Sequence, residues 1–250
     1  MANVRPLLGI IAALPAEARC LGVRHAPVGE AVTVADDVLL IRCGIGRSRA
    51  ARAAVDLVDA GVAALLSWGT AAALGPDLAH GDLVLAREVV SRDGRRFSAD
   101  RQWHERLWER VVSEGRCHSG SAAEADGALR DADDKRRLHA LCGALIADME
   151  SAAIAEVGHG AGLPVLIIRA VSDSSLTRIP ACALAAIDGS GDIDVLGLAG
   201  RLALAPAELL SLLVLAKGFR AACARLARVA ELTGPGFLLA SQTQSDQAQA

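Results

Sequence analysis

Aromatic side chains are nearly missing from this chain: three Trp, three Phe and no Tyr make up 2% of its 250 residues. Ala, Leu, Val and Ile must fill the interior instead, and a hydrophobic fraction of 52% supplies enough of them for a large core. Positive charge is not in excess either. The 26 Lys and Arg stand against 29 Asp and Glu with no basic stripe, which argues against a nucleic-acid partner. The six Cys and six His are scattered, with no C-x-x-C and no H-x-x-x-H. A disulfide frame, a structural zinc or any other metal or cofactor is therefore not expected, and the thiols read as small buried residues of a reducing cytoplasm. No stretch reaches the roughly 20 apolar residues needed to span a bilayer. The N-terminal "LLGIIAAL" is short and followed by Glu17 and Arg19, so it reads as a first buried strand and not as a signal peptide.

What is present is a series of short apolar runs: "LLGIIAAL" (7–14), "VLLIRC" (38–43), "VAALLSW" (62–68), "GDLVLAREVV" (81–90), "GALIA" (143–147) and "PVLIIRAV" (164–171). Near-continuous runs of this length suit strands buried on both faces. Helical patterns separate many of them, at 47–61, 101–115, 131–143 and 150–162, several ending on Gly. Strand and helix alternate, so the expected class is α/β with a largely parallel sheet covered by helices. One long or broken helix is expected over 207–234. Residues 1–235 read as a single domain, and 236–250 as a polar tail expected to be disordered.

In open parallel sheets, ligands bind beyond the C-terminal strand ends. The residues just past the expected strands are Glu17; Gly44 and Gly46; Gly69 and Thr70; Asp148, Met149 and Glu150; and Ser172 and Asp173. Each has a plain reading beside a functional one. Gly46, opening a helix before Arg47, is a tight turn or an anion contact. Glu17 is a first-turn helix acid or a base. Asp173 is an Asx turn or cap, or a general acid whose pKa is raised in a semi-buried site. Glu150 is odd because, as a helical residue, it shares a face with Ala153, Ile154 and Val157. It is either an N-terminal acid paired with Arg169 or a backbone amide, or a ligand for two neighbouring hydroxyls. Asp148 reads as a helix cap.

"LGIIAALPAEA", "CGIGRSRAA", "SWGTAAALGPDLAHGDLVLA" and "ADMESAAIAEVGHGAGLPVLIIRAVSD" together resemble the purine nucleoside phosphorylase and methylthioadenosine/adenosylhomocysteine nucleosidase superfamily. The resemblance implies a three-layer α/β fold with a mixed, mostly parallel central sheet. It also implies cleavage of a purine N-glycosidic bond in a homo-oligomer. It matches Glu150 to the carboxylate holding the ribose hydroxyls, Met149 to the residue packing on the sugar, and Asp173 to the acid at purine N7. Glu17 matches the base that activates water, and Thr70 the hydroxyl near the nucleophile. Gly69 and Ser172 accompany them. Two departures stand out. Where phosphorylases carry phosphate-binding arginines, this chain has Glu17 and Ser67, which favours water, although Gly46, Arg47, Arg49 or Arg92 could contact inorganic phosphate. The segment 120–131 lacks the aromatic that stacks on adenine, leaving aliphatic contact such as Leu129.

The C-terminal stretches "IPACALAAID" and "ELLSLL" resemble the hopanoid-associated phosphorylase branch, implying adenosylhopane as substrate. Peripheral membrane contact at the inner face of the cytoplasmic membrane is the accompanying expectation. The alternatives are a methylthioadenosine/adenosylhomocysteine nucleosidase, a general purine nucleoside phosphorylase, or a nucleoside-binding sensor without catalysis.

Overall fold

A computed structural model describes residues 7–192 and 194–239. Its nine-stranded sheet is built on β4 (Ala64–Ala73). On one side β4 pairs in parallel with β1 (Leu8–Ala12), which pairs in parallel with β3 (Val38–Arg42), with β2 (Ala31–Ala35) antiparallel at the edge. On the other side β4 pairs in parallel with β9 (Val165–Asp173), whose nine residues are all buried. Beyond β9 the sheet turns back on itself. β9 pairs antiparallel with β5 (Leu83–Val90), β5 in parallel with β7 (Cys117–Glu124), and β7 in parallel with β8 (Ile146–Asp148). β8 then returns, antiparallel, to Ala72 and Ala73 of β4. The sheet is therefore mixed, and five of its strands close a ring. The short β6 (Arg96–Ser98) hangs from β5.

The apolar runs supply both faces of this sheet. Along β4, Leu65, Ala71 and Ala73 point into one core, and Ala64, Leu66 and Trp68 into the other. This is the two-residue period of a strand buried on both sides. The first core is covered by α2 (Arg47–Asp59) and α5 (Ser151–Gly160), through Ala50, Ala53, Leu57, Ala153 and Ile154. The second is covered by α1 (Pro15–Arg19), α3 (Arg101–Val111) and α8 (Leu209–Thr233), through Ala18, Trp103, Leu107, Ala222, Leu226 and Val229. Three layers result, as the alternating pattern implies. α4 (Ala132–Cys142) flanks β8, capped by Asp131, whose carboxylate accepts from Asp133 N and Asp134 N.

The long C-terminal helix expected over 207–234 forms without a break, as α8. α6 (Ala181–Ala186) and α7 (Val195–Leu204) precede a 3-10 turn at Pro206–Glu208 and then α8. Only the second half of α8 packs on the core. Leu210 and Leu213 of its first half, and Leu196 and Leu204 of α7, are mostly exposed. Among the described residues, no single helix is long and apolar enough to cross a membrane.

The domain also runs past the expected limit at residue 235. Phe237 is fully buried, its ring edge-on to Trp68 at 5.1 Å, and its carbonyl accepts from Trp103 Nε1 at 2.7 Å. In a chain with so few rings, three of them meet here, so residues 236–239 belong to the folded unit; 240–250 lie outside the described residues. Phe237→Ala is expected to cost about 3–5 kcal/mol. Chemical denaturation should show this as a lower midpoint at unchanged slope.

Candidate active site

Glu17 sits in the first turn of α1, just past the end of β1. Its Oε2 accepts from Ala13 N and Leu14 N at 3.0 Å each, and its Oε1 from Thr70 N at 2.8 Å and Thr70 Oγ1 at 2.9 Å. The first pair is the plain helix-acid reading realised; the second ties the carboxylate to β4. The Gly-Thr pair makes this possible. A Cβ at Gly69 would lie 2.7 Å from Glu17 Oε1, so only glycine admits the carboxylate there, and Thr70 then supplies two donors. Burial drives the Glu17 carboxyl above its ordinary range, against the pull of the Thr70 donors and of Arg169.

Arg169, on β9 beside Gly69 in register, is fully enclosed. Its Nε donates to Asp148 Oδ2 at 2.9 Å, and its Nη2 to Ser67 Oγ at 2.7 Å and Ser151 Oγ at 2.9 Å. One guanidinium thus joins β4, β8, α5 and β9. Asp148 is the helix cap expected of it, with Oδ1 accepting from Glu150 N and Ser151 N, and it is also the partner of Arg169. Burial opposes its ionisation, but Arg169 and the Ser151 donors outweigh that and hold the carboxyl below its usual range.

The pairing of Glu150 with Arg169 is therefore not found. Glu150 stands at the N-cap of α5, off the apolar face, with Oε1 accepting from Gly46 N at 2.7 Å. Burial, and then the neighbouring Asp148 charge, push its carboxyl up to about 7. Met149 beside it packs with Leu129 against Leu74, Ala123, Ala125, Ala144 and Ala147, an aliphatic wall where no aromatic occurs.

Asp173 ends β9. Ser172 Oγ donates to Asp173 Oδ1 at 2.8 Å and to Ala71 O at 3.2 Å. Asp173 is not a lone acid in a semi-buried site, because Lys135 of α4, itself 0% exposed, donates to its Oδ2 at 2.5 Å. Sequence reading passed over Lys135 as one charge in the amphipathic run "DADDKRRLHALCG". A signal was present: only two of the 26 basic residues are lysine.

The structure brings Glu17, Gly69, Thr70, Asp148, Met149, Glu150, Ser172 and Asp173 to the strand ends around Arg169. Three of the four expected anion contacts are otherwise engaged, while Arg49 is exposed beside Gly44 and Gly189. The Gly46 amide serves Glu150, and Arg47 pairs with Glu124 at 2.6 Å and with Glu156, away from Glu17. Arg92 pairs with Asp126. The segment after α6 closes over the same region: Gly189 O accepts from Ile45 N at 3.0 Å, Ser190 O from Arg42 Nη1 at 2.9 Å, and Gly191 lies against Leu14.

A family model described as "Phosphorylase superfamily" matches residues 9–183, most of the chain. The chain belongs to the phosphorylase superfamily. It is an enzyme of this nucleoside phosphorylase and nucleosidase group, whose shared chemistry is cleavage of the purine N-glycosidic bond. A 5'-methylthioadenosine/S-adenosylhomocysteine nucleosidase of Chromohalobacter salexigens is 30% identical over 161 residues, 55% of this chain and 67% of the relative. The superfamily fold recurs in solved structures. The nucleosidase of Neisseria meningitidis, in complex with methylthio-immucillin-A, has a TM-score of 0.66 at 21% identity over 90% of this chain and 96% of that one. The Streptococcus pyogenes S-adenosylhomocysteine nucleosidase has 0.68 at 19%, over 95% and 98%.

The role expected of Glu150, accepting from two ribose hydroxyls, calls for its carboxylate form, and burial beside Asp148 pushes its carboxyl up to about 7. Affinity for a nucleoside with free 2′ and 3′ hydroxyls is therefore expected to rise, by up to about tenfold, between about pH 6 and pH 8. Glu150→Gln should bind more weakly and with no such slope, as calorimetric titration with an unreactive analogue across that range would show.

Proposed function

We propose that this enzyme hydrolyses the N-glycosidic bond of an adenine nucleoside that carries a large apolar 5′ substituent, with water as the nucleophile. The observation that carries this reading is the joint placement of Glu17, Glu150 and Asp173 at one end of the sheet, with Gly46 N, Arg47 and Arg169 already committed to carboxylates. A carboxylate where phosphate would sit repels it at close range.

The steps follow from these positions. Glu150 accepts from the 2′ and 3′ hydroxyls while Met149 packs on the sugar. Asp173 donates to N7, so the C1′–N9 electron pair moves into a purine that leaves as a neutral base. Positive charge grows on the ribose ring, as in glycoside hydrolysis. A water held by Glu17 and Thr70 adds to C1′ and gives its proton to Glu17, whose buried carboxyl is already biased toward accepting one. Adenine is held by the aliphatic wall of Leu129 and its neighbours.

The 5′ end separates this reading from that of a methylthioadenosine/adenosylhomocysteine nucleosidase, the name carried by the relatives. A groove of about 470 Å³ lined by Ile179, Ala181, Leu184 and Ala185, with Arg130, Asp131, Arg178 and Glu208 at its charged side, runs beside the loop after Asp173. The exposed leucines of α7 and of the first half of α8 follow in the chain. These features support an apolar substituent; the resemblance to the hopanoid-associated branch makes it hopane, and the working place the cytoplasmic face of a membrane, as a homo-oligomer.

Adenine release from 5′-alkylated adenosines of increasing chain length tests this directly. Catalytic efficiency should rise with chain length, and Asp173→Asn and Glu17→Gln should each lose about 10²-fold or more. Full activity of Asp173→Asn on an adenine substrate, or a steady fall with chain length, would overturn it.

A further inference from the structure

Lys135 is the buried charge that the steps above leave unused. Its ammonium has three protons and three acceptors: Asp173 Oδ2 at 2.5 Å, Ser174 O at 2.7 Å and Thr177 O at 3.1 Å. Lys135 and Asp173 are both enclosed, with side chains 0% and 6% exposed. A compact ammonium fits this niche as a planar guanidinium would not, which accounts for one of only two lysines in a chain whose other basic residues are arginine. The contact sets a chemical problem. An acid must hold a proton before it can give one to N7, yet a cation at hydrogen-bond distance favours the carboxylate.

We infer that Lys135 is the proton source behind Asp173, and that the pair works as one acid. This rests on the reading that Asp173 protonates the base. As the C1′–N9 bond lengthens and N7 becomes more basic, a proton passes from Lys135 Nζ to the Asp173 carboxylate, and the acid so formed protonates N7 and returns to the carboxylate. Lys135 is left neutral and regains its proton from solvent after adenine leaves; Glu17 returns to solvent the proton it took from water, so the cycle balances. Lys135 does not touch substrate and is a positioning residue acting through Asp173. Its bonds to Ser174 O and Thr177 O also fix the loop that leads to α6.

The other ionisable groups on the surrounding elements are held elsewhere. Glu17 is on Thr70, Asp148 on Arg169, Glu150 on Gly46 and Glu124 on Arg47. Asp82 pairs with Arg116 and His118. Asp131 and Asp134 serve the start of α4, and Arg130, Arg178 and Glu208 line the groove. His80 lies against Gly218 of α8, and Lys217 is exposed. Lys135 alone among the described residues bonds to Asp173 as a cation.

The test compares Lys135→Met, Lys135→Arg, Asp173→Asn and the Lys135→Met/Asp173→Asn double variant on two substrates. One is an adenine nucleoside; the other is a 4-nitrophenyl riboside, whose leaving group needs no proton. Lys135→Met should lose about 10²-fold or more on the adenine substrate, the range for one general-acid contribution, and less than about tenfold on the nitrophenyl riboside. Its adenine activity should fall with rising pH well before that of the wild type, because no ammonium then supplies the Asp173 carboxylate with a proton. Lys135→Arg should lose activity on the adenine substrate as Lys135→Met does, because a guanidinium neither fits the niche nor gives up its proton. In the Asp173→Asn background, Lys135→Met should add no further loss. The double variant buries no unpaired charge, so it keeps the comparison valid if the single one folds poorly. Equal losses on both substrates with an unchanged pH profile, or additive losses in the double variant, would reduce Lys135 to scaffolding. Failure of the wild type to release adenine, with the nitrophenyl riboside still cleaved, would instead sink the adenine reading. The pair would then be judged by side-chain ¹⁵N resonances of the two lysines, where Asp173→Asn must shift the buried ammonium; no shift would overturn it.

Discussion

One buried guanidinium, that of Arg169, is the constraint on which the site depends. Taking an ion out of water costs several kcal/mol even after relaxation, and here Glu17, Asp148 and Glu150 cluster out of solvent. Arg169 offsets the cost for Asp148 by direct contact and for Glu17 and Glu150 through its field, and the three carboxylates together keep its own charge against the same burial. Because its donors also reach Ser67 and Ser151, the charge is fixed relative to β4 and α5. One cation cannot satisfy three acids equally. Asp148 is held ionised, while Glu17 and Glu150 are left with raised carboxyls, so one acid is structural and two are available for chemistry.

The fold makes the cluster possible. Parallel β1, β4 and β9 bring Glu17, Gly69 and Arg169 to one edge, and closure of the ring through β5, β7 and β8 carries Asp148 and Glu150 to the same place. Small residues let the pieces approach. Gly69 makes room for Glu17, and Gly158 of α5, where a Cβ would fall 2.4 Å from Val165 Cγ2, lets that helix lie close on β9. The scarcity of aromatics belongs to this packing, and three of the six Trp and Phe rings, Trp68, Trp103 and Phe237, gather where α3, β4 and the chain after α8 meet.

Much of this was legible in the order of the residues. β1, β3, β4, β5, β8 and β9 are apolar runs buried on both faces, and their ends name Glu17, Gly69, Thr70, Glu150 and Asp173. β7 was not legible. "CHSGSAAE" is polar and half-buried over most of its length, and it becomes a strand only because β5 and β8 flank it. Ring closure was hidden for the same reason, since it rests on pairings distant in sequence. Lys135 was masked by the charges around it on α4. Of the two partners read for Glu150, the backbone amide is the one found, because Asp148, two residues earlier, takes Arg169. Phe237 was lost in a Gly- and Pro-rich context, although an aromatic residue in this chain is itself a signal of burial.

A site built from carboxylates, with Arg47 and Arg169 already paired to acids, should accept a neutral nucleophile and refuse an anionic one. The most direct measurement is the mass of the sugar product formed during adenine release, with inorganic phosphate present and then removed. The account predicts the free sugar in both cases at an unchanged rate. A sugar 1-phosphate, with adenine release lost when phosphate is removed, would contradict it.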